Sequence, residues 1–156
     1  MIQPASPVVR MGSAAPTESS LMSKMLVAYV AVLVPFLSLD AIWLWLMGTA
    51  LYKPTLGDIL RTQPNLWPAA VFYGLYPIGL LVFAVWPALE EGQLSRAIVL
   101  GLLFGFFTYA TYDLTNHTTL RNWTTTLTAA DMVWGSVLAG VSSTFSFFIM
   151  RRVFGI

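Results

Sequence analysis

Asp40, Asp113 and Asp131 each interrupt an apolar stretch of the chain, in the settings Ser-Leu-Asp-Ala-Ile-Trp, Tyr-Asp-Leu-Thr-Asn-His and Asp-Met-Val-Trp-Gly. A carboxylate in such surroundings is costly unless it is paired, protonated or turned toward a hydrated cavity. Helical spacing gathers further polar groups around each acid. Tyr109 precedes Asp113 by four residues, and Asn116 and His117 follow it by three and four, which puts all of them on one helical face. Asp40 shares a face with Trp43 and Met47, and Asp131 shares one with Trp134 and Gly135; Phe72, Tyr73 and Tyr76 bring phenols to a comparable depth.

Several chemistries suit these groups. A carboxyl buried as Asp40 would be is the type of group used in general acid–base catalysis, although nothing identifies what it would protonate. Asp113 and His117, one turn apart, could ligate a divalent cation with Asp131 or Asp40 adding oxygens, so Asp113, His117 and Asp131 form a candidate metal set. The blander reading is that Tyr and Trp donors satisfy the carboxylates within the bundle and no ligand is involved. No cofactor can be named.

The elements that would position these residues are membrane helices. Hydrophobic residues make up 57% of the 156-residue chain and charged residues 10%, too few charges for a soluble domain. Spans are expected at about 25–48, 67–89, 94–116 and 129–150, each long enough for a hydrocarbon layer of roughly 30 Å. They define an all-α, integral-membrane four-helix transmembrane bundle as a single domain over 24–156. Residues 1–23, rich in Pro, Ser, Ala and Gly, read as a disordered tail, and Met11, Met22 and Met25 provide alternative starts. Pro35 and Pro77 are expected to bend the first two spans. The stretch 51–66, with Lys53, Pro54, Gly57, Asp58, Arg61 and Pro64, is too polar and broken to cross; it reads as an interfacial loop with a short helix. The Thr-rich connection at 118–128, with Arg121 and Trp123, suits the headgroup region. Gly101 with Gly105, Ser136 with Gly140 and Ala139 with Ser143 are small-residue pairs that permit close helix approach.

The charge balance excludes other classes. Net charge is +1 and no dense basic stretch exists, so nucleic acid is not a partner; the absence of cysteine removes disulfides, thiolate metal sites and cysteine nucleophiles. Arg10, Lys24, Arg96, Arg151 and Arg152 fall on one side of the four-span arrangement and Lys53, Arg61 and Arg121 on the other, which favours both termini in the cytoplasm. On that arrangement Asp40, Asp113 and Asp131 converge in the outer half of the bilayer.

Tyr112-Asp113-Leu114-Thr115-Asn116 resembles the signature of a bacterial membrane-protein family, domain of unknown function 2177. Asp40-Ala41-Ile42-Trp43-Leu44, Pro68-Ala69-Ala70-Val71-Phe72-Tyr73 with Tyr76, and Asp131-Met132-Val133-Trp134-Gly135 fit the same family, and the likeness extends over about Val27 to Gly140. The resemblance implies a small four-helix protein of the bacterial inner membrane and brings no activity with it. The leading reading is a protein that binds or processes a lipid-like amphiphile, with candidate ligand-binding residues Asp40, Trp43, Tyr73, Tyr76, Tyr109, Asp113, Asn116, Asp131 and Trp134. Rival readings are a proton- or cation-coupled transporter and a structural subunit of a larger membrane complex. Whether the chain is an enzyme is left open.

Overall fold

The computed structural model describes residues 18–156, and among them there are helices and no strands. Four helical runs are long and apolar enough to cross a membrane: α1 (Glu18–Ile59), α2 (Leu66–Glu91), α3 (Leu94–Thr119) and α4 (Thr125–Phe154). The tail expected at 1–23 lies outside the described residues for 1–17, whereas residues 18–23 already belong to α1.

Local sequence accounts for the helix ends. The Asn65 side chain accepts from the Trp67 amide at 3.2 Å to open α2, and the Thr124 hydroxyl accepts from the Leu127 amide at 3.2 Å to open α4. Gly92 and Gly155 stop α2 and α4 in the left-handed conformation, at φ 65° and 68°, where a Cβ would be unfavourable.

Two prolines act in a way that the sequence reading did not foresee. Pro54 and Pro87 have no N–H to give the carbonyl four residues back, and each ring crowds that carbonyl. In both places the helix widens into a π turn, Gly48–Tyr52 in α1 and Leu81–Val85 in α2. The residue just before each proline donates five residues back instead: Lys53 to the Gly48 carbonyl and Trp86 to the Leu81 carbonyl. The stretch read as an interfacial loop with a short helix is helical through Ile59, as a π turn, one α turn at Lys53–Leu56 and a 3-10 turn at Gly57–Ile59.

The bundle is built around α4, the most buried helix, which packs against α3 along its whole length and against α1. The α3–α4 seam is an antiparallel ladder of small residues meeting in register. A side chain on Gly101 would collide with Ser143, one on Gly105 with the Gly135 carbonyl and Ala139, and one on Gly135 with the Tyr109 ring. Gly101 with Gly105 and Ala139 with Ser143 therefore meet as the expected small pairs; Gly140 lies against Leu102, and the Ser136 hydroxyl turns back to the Met132 carbonyl. Continued by one turn, the ladder sets Asp113 opposite Asp131.

α1 presents Ala28, Val32, Phe36 and Asp40, four residues apart, as its buried stripe. Its first turns lie beside the end of α4, where Lys24 sits 5.8 Å over the Phe154 ring and the Ser146 hydroxyl donates to the Ala28 carbonyl. The opposite end carries the acids, and there Leu56, Trp123 and Leu127 form a small second core. Trp123, in the connection between α3 and α4, is buried within this small core, its indole N–H donating to Thr128 at 3.1 Å.

Candidate functional site: a charged cavity and an apolar groove

The three acids are all buried, with exposures of 6% for Asp40, 0% for Asp113 and 5% for Asp131, but their environments differ. Asp40 is bonded through both oxygens: the Tyr73 hydroxyl donates to one at 2.6 Å and the Trp134 indole to the other at 3.1 Å. Asp131 accepts from the Tyr52 hydroxyl at 2.6 Å through Oδ1, and Oδ2 has no hydrogen bond. Asp113 has none at either oxygen.

Aromatic side chains join the first two acids into one unit. The Trp43 indole donates to the Tyr52 hydroxyl at 2.9 Å, so the chain of donors runs Trp43, Tyr52, Asp131. Trp43 also stacks flat on Trp134, with centroids 4.5 Å apart and planes within 4°, and Trp134 in turn bonds Asp40. Tyr52 reaches this place because of the π turn. Asp40, Trp43 and Met47 follow the ordinary helical repeat, and the widened turn delays the next inward position to Tyr52, five residues on.

This unit lines a cavity of about 540 Å³ to which Tyr73, Tyr109 and Tyr112 also contribute. Lys53 and Arg61 line it as well, from the segment after the π turn. Two carboxylates and two cations thus border one space, yet none of these four is in a salt bridge; among the described residues the one ion pair joins Arg96 and Glu91 at the other end of the bundle.

A second hollow of about 440 Å³ lies alongside, between α2 and α3, lined by Phe72, Tyr76, Thr108, Tyr109 and Tyr112. It is almost wholly apolar and shares Tyr109 and Tyr112 with the charged cavity. It exists because the two halves of α2 pack differently: residues 81–91 sit on α3, whereas 66–80 lean on α1. Near the site, Tyr76 spans the gap to α3, bonding Thr108 at 3.0 Å and meeting Phe104 edge-on.

Of the residues singled out from sequence, Asp40, Trp43, Tyr73, Tyr109, Asp131 and Trp134 border the charged cavity. Tyr76 belongs to the groove and is bonded to Thr108 rather than to an acid. Asn116 is half-buried and borders neither space, and Asp113 lies on the α3–α4 seam without lining either. The candidate metal set of Asp113, His117 and Asp131 does not assemble: among the described residues no three His, Asp or Glu side chains come close enough to hold an ion. His117 is turned to Thr128, with Nδ1 3.3 Å from the hydroxyl. Sequence reasoning missed Tyr52, Lys53 and Arg61, whose stretch looked like a loop; Pro54 within a helical continuation was the available signal.

The model of the family described as "Predicted membrane protein (DUF2177)" matches residues 25–148, which takes in α2 and α3, most of α1 and α4, and every residue of the aromatic unit. The chain belongs to the DUF2177 family. Neither a curated protein nor a solved structure matches it. The match in this DUF2177 chain includes Lys53 and Arg61 along with Asp40 and Asp131, so both signs of charge in the cavity lie within the family region.

Proposed function

We propose that the protein binds a membrane amphiphile, with its head in the charged cavity and a hydrocarbon tail in the groove between α2 and α3. One observation carries this reading: a cavity bordered by charged groups and an apolar groove meet through shared tyrosines, Tyr109 and Tyr112. A mostly apolar pocket with a few placed polar groups is the usual form of a small-molecule site, and an amphiphile matches both halves. The balance of basic residues, with Lys24, Arg96, Arg151 and Arg152 at the other end, favours that end for the cytoplasm, and on this orientation the cavity would open toward the outer leaflet.

The coupled-transporter reading requires a polar path onward from the acids. Below them the ladder closes at Gly105, Gly135 and Ala139, where even one added carbon would collide. This close packing separates the acids from Ser143, the next buried polar group on the seam without a hydrogen bond.

A phospholipid carrying a photoactivatable diazirine in its tail tests the proposal. Cross-links should concentrate on Phe72, Thr108 and Tyr112 over the lipid-facing side of α4 at Val133 and Val137. Equal labelling of both surfaces would show only a generic lipid shell and would sink the reading.

A further inference from the structure

Resting on that reading, we infer that the cavity selects a zwitterionic phospholipid headgroup, one that carries a primary ammonium beside a phosphate. The inference starts from charges that line one space without meeting. Asp40 and Asp131 on one side and Lys53 and Arg61 on the other border the same cavity, and no oxygen of the acids lies within 4 Å of a nitrogen of either cation. Opposite charges held apart in this way are complementary to a ligand that brings both signs at once.

The two acids are not equivalent toward such a ligand. Asp40 already accepts from Tyr73 and Trp134, one donor to each oxygen. Asp131 has spent only Oδ1, on Tyr52, and Oδ2 is not among the atoms sealed from access. Asp131 Oδ2 is therefore the acceptor for an ammonium N–H, and a charge-assisted bond there is stronger than one to a neutral donor.

Lys53 and Arg61 stand on the exposed segment that follows the π turn. From there they would meet a phosphate, which arginine grips through two parallel N–H donors and lysine as a point charge. Tyr109 and Tyr112, shared with the groove, mark where the glycerol and tails leave the cavity. A headgroup bearing only an anion would leave Asp131 Oδ2 unmatched, and a choline head has no N–H to give it.

The test is a competition in nanodiscs among lipids with identical tails, read by native mass spectrometry. The arms are phosphatidylethanolamine, phosphatidylcholine, phosphatidylglycerol and diacylglycerol, with free phosphoethanolamine as a soluble competitor. Phosphatidylethanolamine should be retained about tenfold over the others, a factor that one charged hydrogen bond supplies. Asp131→Asn should abolish the preference over phosphatidylcholine. Lys53→Gln with Arg61→Gln, at exposed positions that leave folding intact, should lower retention of all three phospholipids toward that of diacylglycerol. Equal retention of all four lipids would overturn the headgroup assignment and leave the amphiphile reading standing. Retention of none by a folded protein would remove both. Displacement by micromolar free phosphoethanolamine would place the ligand in water and overturn the lipid assignment.

Discussion

At the residue scale, three buried aspartates of similar depth have different roles, and their bonding distinguishes them. Asp40 holds Tyr73 and Trp134 and so ties α1 to both α2 and α4. In Asp40→Asn the amide oxygen keeps Trp134 and its N–H turns to the Tyr73 oxygen, so two bonds to a carboxylate become bonds to a neutral amide, at a cost of about 1–2 kcal/mol. Thermal unfolding in detergent should show that loss. Asp113→Asn should differ, because Asp113 has no hydrogen bond to lose and an unpaired buried carboxylate is itself unfavourable. Its unfolding midpoint should equal or exceed the wild type's; a drop as large as that of Asp40→Asn would mean that Asp113 is a packing acid too. The grouping of Asp40 with Trp43 and of Asp131 with Trp134 was legible in the sequence, because helical spacing is strict and apolar surroundings make an acid conspicuous. The stacking of Trp43 on Trp134 was not, since no periodicity within one helix specifies its angle to another.

At the scale of elements, the positioning of the site depends on one proline and one seam. Pro54 forces the π turn that carries Tyr52 onto Asp131. Pro54→Ala restores the missing N–H and lets the turn close, which should cost about as much as Tyr52→Phe, roughly 1.5–3 kcal/mol for a hydrogen bond to a charged group. The two changes should be strongly non-additive in a double-mutant cycle, because both remove the same contact. Additive losses would detach the turn from the site. Along the α3–α4 seam, Gly105→Ala drives a methyl into the Gly135 backbone and should destabilise by about 1–3 kcal/mol, whereas Gly74→Ala meets nothing within 4 Å and should be neutral or slightly stabilising. The four spans and the small-residue pairs were readable beforehand from hydropathy and spacing. The helical course of 48–59 was legible only as a short helix within a loop, because a polar segment broken by Pro54 and Gly57 has the composition of a loop, and the packing of Leu51, Tyr52 and Leu56 on Trp123 and Leu127 is not visible in composition.

The whole molecule is a bundle with a different character at each end. Lys24, Arg96, Arg151 and Arg152 gather at the end where α1 begins and α4 finishes, and the cavity, with Lys53 and Arg61, lies at the other. Because the chain has no cysteine, single cysteines report topology without background. Cysteine at Ser23 or Gly155 should react with an impermeant thiol reagent only after the cells are opened, and cysteine at Thr62 should react in intact cells. The reverse pattern would turn the cavity toward the cytoplasm.

The central claim is that one amphiphile occupies the joined cavity and groove. Native mass spectrometry of the wild type, released from mild detergent beside Asp131→Asn, tests it most directly. The prediction is one lipid-sized adduct per wild-type chain, held about tenfold more weakly by the variant that is still folded. A wild type that flies bare while folded, or a variant that keeps the same adduct equally well, would contradict it.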